Sequence, residues 1–230
     1  MDHKRVIEEG YDLLDGTFRE WITRNPSEVR SWFLSEVLAR VSVGSVVLEL
    51  GCGPGTAAAQ LADRRSYTGV DLSKAQLAVA RSIAPAGRFL RDDFTQMTFP
   101  SSSFDAVVAF YVFNHVPREE QVPTFGRVIG WLKPGGRFML SLGIGDTDDE
   151  IQEDWLGVPM FFASFDRVTN ERQLRAAGFD LELSETRTEV EEGEGDVTFQ
   201  WVIARKPALP LRPSRGLSPG TRTARPGTHR

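Results

Sequence analysis

The sequence predicts an α/β fold, a mostly parallel sheet with helices on both faces. Three observations predict it. Strand-like and helix-like segments alternate between residues 45 and 143, and such alternation closes into a parallel sheet through right-handed crossovers. The run Val46-Val47-Leu48-Glu49-Leu50 is apolar at four of its five positions and leads straight into Gly51-Cys52-Gly53-Pro54-Gly55. An apolar run of that length reads as a strand buried on both faces. Acids then stand at or just beyond the ends of the next two strand-like runs, Asp71 and Asp93.

Taken in order, residues 3–41 read as helical. Asn25-Pro26-Ser27-Glu28 resembles a capped start with Pro26 at the first helical position. Val29, Trp32, Phe33, Val37 and Val41 then give one apolar face. Before them, Gly10 and Gly16 interrupt the apolar spacing, which predicts one or two short helices with a hinge. Strands are expected at 45–50, 66–71, 88–91, 104–110 and 136–143. Helices are expected at 56–63, 73–83 and 117–132, the last weakened by Pro123 and Gly126. Residues 144–165 break the alternation with an acidic loop, Gly145 to Glu150, and the apolar Trp155-Leu156-Gly157-Val158-Pro159-Met160-Phe161-Phe162. That stretch is too long for an ordinary connection. A helix near 167–177, ended by Gly178, and strands near 179–187 and 197–205 follow, with the acidic turn Glu191–Asp196 between the strands. The tail from Pro207 to Arg230 holds five prolines and few apolar residues, a composition that predicts disorder. One domain over 1–206 and a tail over 207–230 is the expected organisation.

Composition narrows the function classes. The chain has 230 residues and a net charge of −5. Five arginines and no acid lie in the tail, so residues 1–206 carry −10. An acidic body repels phosphate backbones, which argues against nucleic acid. One cysteine, Cys52, excludes an internal disulfide and a cysteine-rich metal site, and no metal is expected. The charged start MDHKRVIEEG carries no apolar core of a signal peptide, and no apolar run exceeds strand length. A cytoplasmic monomer or homodimer without membrane contact is the expectation.

The glycine loop carries the chemistry. Glycine at alternate positions allows positive φ and brings the backbone close to a ligand. A dinucleotide fingerprint requires a third glycine at position 56, where Thr56 stands, and no Lys-Ser or Lys-Thr pair follows as in a phosphate-cradling P-loop. The loop suits a nucleoside without a pyrophosphate. Asp71, about twenty residues beyond the first loop glycine, stands where an acid accepts hydrogen bonds from ribose hydroxyls.

Glu49-Leu50-Gly51-Cys52-Gly53-Pro54-Gly55 after an apolar strand resembles the first motif of the class I S-adenosylmethionine (AdoMet) methyltransferases. Tyr67-Thr68-Gly69-Val70-Asp71 resembles the second motif, and Asp92-Asp93-Phe94 with Ser103-Phe104-Asp105 the third. Leu132-Lys133-Pro134-Gly135-Gly136 is similar to the turn into the family's fifth strand. The resemblance covers roughly residues 44 to 143. It implies a three-layer Rossmann-like sandwich, a seven-stranded mostly parallel sheet with its last strand antiparallel, and an N-terminal helical lid over residues 1–43. It implies AdoMet as cofactor, with Glu49 near the methionine amino end, Gly51 and Gly53 against the ligand and Asp71 on the ribose. Asp93 rather than Asp92 would meet the adenine amino group, with Leu72, Phe94 and Phe110 alongside. Tyr11 resembles a lid tyrosine that covers the methionine part, whereas Phe18 stands where a partner tyrosine is usual.

Two further groups have a structural and a functional reading. His115, the only histidine inside the expected folded body, is a candidate general base. The family's small-molecule members also carry such a histidine simply to open the next helix. Trp155, Met160 and Phe161, with Tyr111, are either core or the wall of an acceptor pocket in the 144–165 insertion. The function expected from the resemblance is methyl transfer from AdoMet to a small molecule, aromatic or apolar, on oxygen, nitrogen or carbon. A fold member that binds AdoMet without turnover is the alternative, and a nucleotide-linked oxidoreductase is disfavoured by Thr56.

Overall fold

A computed structural model describes residues 2–191 and 195–208. The strands are β1 (Val46–Leu50), β2 (Ser66–Asp71), β3 (Arg88–Arg91), β4 (Phe104–Ala109), β5 (Leu132–Gly143), β6 (Glu150–Trp155), β7 (Val158–Phe162), β8 (Asp180–Glu191) and β9 (Gly195–Arg205). The helices are α1 (His3–Arg24), α2 (Glu28–Arg40), α3 (Ala58–Ala62), α4 (Lys74–Ile83), α5 (Arg118–Trp131) and α6 (Arg167–Ala176). Seven strands form one sheet in the order β3-β2-β1-β4-β5-β9-β8. Every pair from β3 to β5 is parallel, and β9 runs antiparallel to both its neighbours. This is the sheet expected from the resemblance.

Alternation along the central strands explains the layers. Val47, Ala106 and Val108 pack on one face with Phe33, Val37 and Trp201. Leu48, Leu50, Val107 and Ala109 pack on the other with Phe125, Val128 and Leu174. Both sets are almost wholly buried, so β1 and β4 have no solvent face and show no polar alternation. The chain leaves β1 toward β2 and β3, then returns to β4 on the other side. The C-terminal ends of β1 and β4 therefore flank a topological switch point, where α/β sheets open a crevice.

The N-terminal region departs from the sequence reading. α1 is one continuous helix across Gly10 and Gly16, with no hinge. A Cβ at Gly10 would lie 2.8 Å from Met160 Cε and 3.0 Å from the Pro159 carbonyl oxygen. Gly10 therefore permits close helix–strand approach. The cap of α2 is Ser27, whose Oγ accepts from the Arg30 N–H at 2.8 Å; Asn25 instead ends α1, and Pro26 precedes the cap. α5 continues through Pro123.

The stretch 144–165 contains a second, two-stranded sheet, β6 against β7. Leu156 and Gly157 join them with φ of +52° and +89°, the positive values that tight hairpins prefer. Arg118 anchors the loop before the hairpin, binding Asp146, Asp148 and the carbonyls of Thr147 and Ser164. Met160 and Phe161 are fully buried with Ile7 and Leu14 of α1 in a third apolar cluster. Part of the acidic turn expected between β8 and β9, and the tail from 209 onward, lie outside the described residues.

Candidate functional site

Above the switch point lies an open-mouthed cavity with about 1040 Å³ of space not filled by atoms. Its floor is the glycine loop. Gly51 and Gly53 take φ of +62° and +51°, conformations that favour glycine. Their surroundings differ. A Cβ at Gly51 would overlap the side chain of Val112, whereas a Cβ at Gly53 would meet nothing within 4 Å. Gly51 serves the packing of β1 against the segment after β4; Gly53 faces open space.

Three acids stand at successive strand ends on one side of this floor. Glu49, near the end of β1, is 3% exposed and accepts the Tyr67 hydroxyl at 2.5 Å. Burial pushes its carboxyl up to about 8, against that hydrogen bond. Asp71, ending β2, accepts the backbone N–H of Gly53 at 2.8 Å through Oδ2 and that of Ser73 at 2.9 Å through Oδ1. Enclosure raises it to about 6 despite those donors. Asp93 follows β3 and accepts Thr95 N–H at 2.9 Å. Its other oxygen receives Lys4 Nζ at 2.5 Å. Asp93 lines the cavity, with Phe94 beside it, and the exposed Asp92 does not.

The roof is α1. Lys4, Ile7, Tyr11, Phe18 and Ile22 form one stripe along it, and all five line the cavity. Asp12 secures the helix by accepting Ser73 Oγ at 2.5 Å and Ala75 N–H at 3.0 Å at the start of α4. Tyr11 reaches across to His115, the last residue of a short 3₁₀ turn after β4. The Nδ1 of His115 lies 2.8 Å from the Phe161 carbonyl oxygen, which can only accept, so Nδ1 carries the proton. Nε2 is therefore the acceptor, 2.9 Å from the Tyr11 hydroxyl. Burial lowers the imidazole to about 4 and raises the Tyr11 phenol, so both stay neutral near pH 7.

The remaining wall comes from β4 and α2. Phe110 and Tyr111 follow the strand, and Tyr111 takes a positive φ of 54° while its N–H donates to Ser141 Oγ at 2.7 Å. Its hydroxyl turns away to Glu189 of β8 and Ser27, each at 3.1 Å. Arg30 of α2 completes the wall.

Most of the expected residues converge on this cavity: Tyr11, Glu49, Gly51, Gly53, Asp71, Leu72, Asp93, Phe94, Phe110, Tyr111 and His115 all line it. Trp155, Met160 and Phe161 do not. Trp155 sits behind the wall, its ring centroid 5.8 Å from Tyr11 and 6.1 Å from His115. Met160 and Phe161 support α1 from outside, and His3 stacks on Phe161 at 4.4 Å. His3 thus belongs to the folded body together with His115. Lys4, Arg30 and Gln76 line the cavity without a sequence signal of their own, although the apolar spacing of Ile7, Tyr11, Phe18 and Ile22 was available. Among the described residues no group of three or more His, Cys, Asp or Glu is placed to hold a metal, and no helix is long and apolar enough to cross a membrane.

Residues 47–136 match the family model described as "Methyltransferase domain". A probable S-adenosylmethionine-dependent methyltransferase of Mycolicibacterium smegmatis is 31% identical over 162 residues, covering 68% of this chain and 62% of that protein. The sterol 24-C-methyltransferase erg-4 of Neurospora crassa is 37% identical over 100 residues, 40% of this chain and 26% of that protein. The chain thus spans between 26% and 62% of the length of these curated relatives. A solved 1,6-didemethyltoxoflavin-N1-methyltransferase of Burkholderia thailandensis, with S-adenosylhomocysteine bound, shares the fold at a TM-score of 0.67 and 21% identity, covering 88% of each chain. Residues 47–136 thus carry a methyltransferase domain, on a fold shared with S-adenosylmethionine-dependent methyltransferases, and these matches indicate AdoMet as its cofactor.

Proposed function

We propose that this chain binds AdoMet in the cavity beneath α1 and methylates a small-molecule acceptor that is aromatic or apolar. The observation that carries the reading is the open face of Gly53 beside Glu49, Asp71 and Asp93. Three hydrogen-bond acceptors at neighbouring strand ends suit a ligand that presents donors: an ammonium, ribose hydroxyls and an adenine amino group. Asp71, charged near pH 7, disfavours a pyrophosphate here, which separates this floor from a dinucleotide site. Leu72, Phe94 and Phe110 supply apolar surface between the three acids.

When bound, AdoMet supplies a sulfonium-activated methyl group. The residues' contribution is then orientation and exclusion of water. α1 covers the cavity as a lid, with residues 1–206 forming the domain. Phe18, Ile22, Val112 and Tyr111 offer an apolar wall for the acceptor, and the 144–165 hairpin shapes it from behind through Trp155, Met160 and Phe161. Holding acceptor and donor in line removes much of the barrier without a base. His115 acts chiefly by fixing Tyr11, since its only basic nitrogen already accepts that hydroxyl.

Calorimetry with AdoMet and S-adenosylhomocysteine, followed by methyl-transfer assays on aromatic and apolar acceptors, tests the proposal. Binding with release of S-adenosylhomocysteine in the presence of one acceptor class supports it. Binding without turnover on any class marks a fold member that holds AdoMet for another purpose, and no binding removes the reading.

A further inference from the structure

Glu189 of β8 lies outside the cavity, yet three donors from two other segments converge on its carboxylate. Its Oε2 accepts the hydroxyls of Ser27 at 2.8 Å and Tyr111 at 3.1 Å, and its Oε1 accepts the Val29 N–H at 3.2 Å. Ser27 caps α2 and Val29 lies in its first turn, where unpaired N–H groups favour an anion. Each hydroxyl has one proton to give, and only a group that accepts at several points takes both. Glu189 reaches this place because β8 outruns the sheet. β9 stops pairing with β5 at Phe199, opposite Gly143, but its pairing with β8 continues to Gly195, opposite Glu191. The ends of β8 and β9 therefore form a two-stranded ribbon beside α2.

What the ribbon holds is Tyr111. Its φ of +54° is strained for a residue with a side chain, and such strain persists only where the surroundings over-determine it. Here the residue is fixed at both ends, by its N–H on Ser141 Oγ at 2.7 Å and by its hydroxyl on Glu189. Ser27, 3.1 Å from the same hydroxyl, is itself committed to Glu189 and to the Arg30 N–H. Between its two anchors the ring lies edge-on to Phe199 and Trp201, with centroids 4.9 and 5.3 Å away, and lines the cavity. Edge-to-face contacts favour a distance and a tilt but do not stop a ring sliding along its wall. The bond at its far end does.

We propose that Glu189 is a positioning residue for methyl transfer, which holds the Tyr111 ring in the acceptor wall without touching AdoMet or the acceptor itself. The assignment rests on the reading of the cavity as an AdoMet site with Tyr111 on its acceptor side. It gives the ribbon of β8 and β9 a part in acceptor fit, since a ring that slides changes the width left for the acceptor.

The experiment is nuclear magnetic resonance of the full chain with isotope-labelled tyrosine, alongside calorimetry of S-adenosylhomocysteine and melting temperatures. The chain has three tyrosines, so Tyr111→Phe assigns the Tyr111 ring signals by their loss. Ring currents of Phe199 and Trp201 should displace those signals from free-tyrosine positions in the wild type. In Glu189→Leu they should return at least halfway, with the Tyr11 and Tyr67 signals unmoved and S-adenosylhomocysteine affinity within about twofold. Glu189→Gln, which keeps one acceptor oxygen, should recover most of the displacement, and Glu189→Thr replaces Glu189→Leu if the latter melts early. With an acceptor that turns over, Glu189→Leu should raise KM several-fold at little cost in kcat. A lower melting temperature with unmoved Tyr111 signals would make Glu189 merely structural and overturn the assignment alone, and so would moved signals with an unchanged acceptor KM. Failure of the wild type to bind S-adenosylhomocysteine, or to turn over any acceptor, would overturn the reading of the cavity and the assignment with it.

Discussion

The hydroxyl of Tyr11 donates to Nε2 of His115 across 2.9 Å, joining the middle of α1 to the turn that follows β4. The bond has a defined direction, because the Phe161 carbonyl holds the imidazole proton on Nδ1. Three segments distant in sequence therefore meet at one ring.

His115 stays neutral down to about pH 4, whereas an unfolded histidine titrates near 6.5. Between those values the unfolded chain binds the extra proton. Stability is complete above pH 6.5 and falls as the pH drops toward 4, by up to about 3 kcal/mol. Chemical denaturation of wild type and His115→Asn at pH 4.5 and 7.5 checks this, the variant losing less on acidification. Turnover should show no ionisation between pH 6 and 7 that His115→Asn removes, and His115→Asn should lower turnover by less than about a hundredfold. A larger loss with intact donor affinity would make His115 a base.

Glu49 has the opposite pH sign. Its carboxyl is raised from 4.5 to about 8, so its stabilising neutral form is fully present below pH 4.5 and is lost as the pH rises through 8. Glu49→Gln should therefore raise the melting temperature at pH 8.5 relative to wild type. The same change should weaken AdoMet, because a cation brought beside Glu49 favours its charged form. Calorimetry at pH 7 in buffers of different ionisation enthalpy should register proton release on binding by the wild type and none by Glu49→Gln.

The two loop glycines should fail differently. Gly53→Val places its side chain in empty space, at the cost of a left-handed backbone, about 1–2 kcal/mol or somewhat more for a branched residue. The protein should fold and lose S-adenosylhomocysteine binding by more than tenfold. Gly51→Val drives into Val112 and should be recovered poorly folded. Far-ultraviolet circular dichroism with calorimetry distinguishes the two outcomes.

Gly10 offers a test of α1 that leaves the floor untouched. Gly10→Val forces the helix away from Pro159 and Met160. Dissociation of S-adenosylhomocysteine, followed by stopped-flow competition, should quicken several-fold. Phe161→Ala should act similarly while costing about 3–5 kcal/mol of stability, the usual loss for a fully buried phenylalanine.

The sequence was legible wherever burial on both faces or a local turn dictated structure. β1 and β4 fall close to their expected bounds because nearly every side chain there is buried, and the glycine loop announces its own backbone. Gly10 misled because a helical glycine reads as weakness until Met160 is seen against it. Ser27 outcompeted Asn25 as the cap of α2, a choice between two good caps that propensity does not settle. Met160 and Phe161 are apolar enough for either a pocket or a core, and only their contact with α1 decides. Gln76, Lys4 and Arg30 gain meaning from partners in other elements, so no local pattern marked them.

The distances along the chain that α1 spans have a kinetic consequence. Two of its polar anchors lie 89 residues away at Asp93 and 104 away at His115. Neither receptor exists until β1 to β4 have assembled, so α1 docks late, by a long loop closure on a formed sheet. Amides of α1 should exchange hydrogen well before those of β1 or β4, with bound S-adenosylhomocysteine slowing them most. A protein so ordered can melt its roof while its floor stays whole.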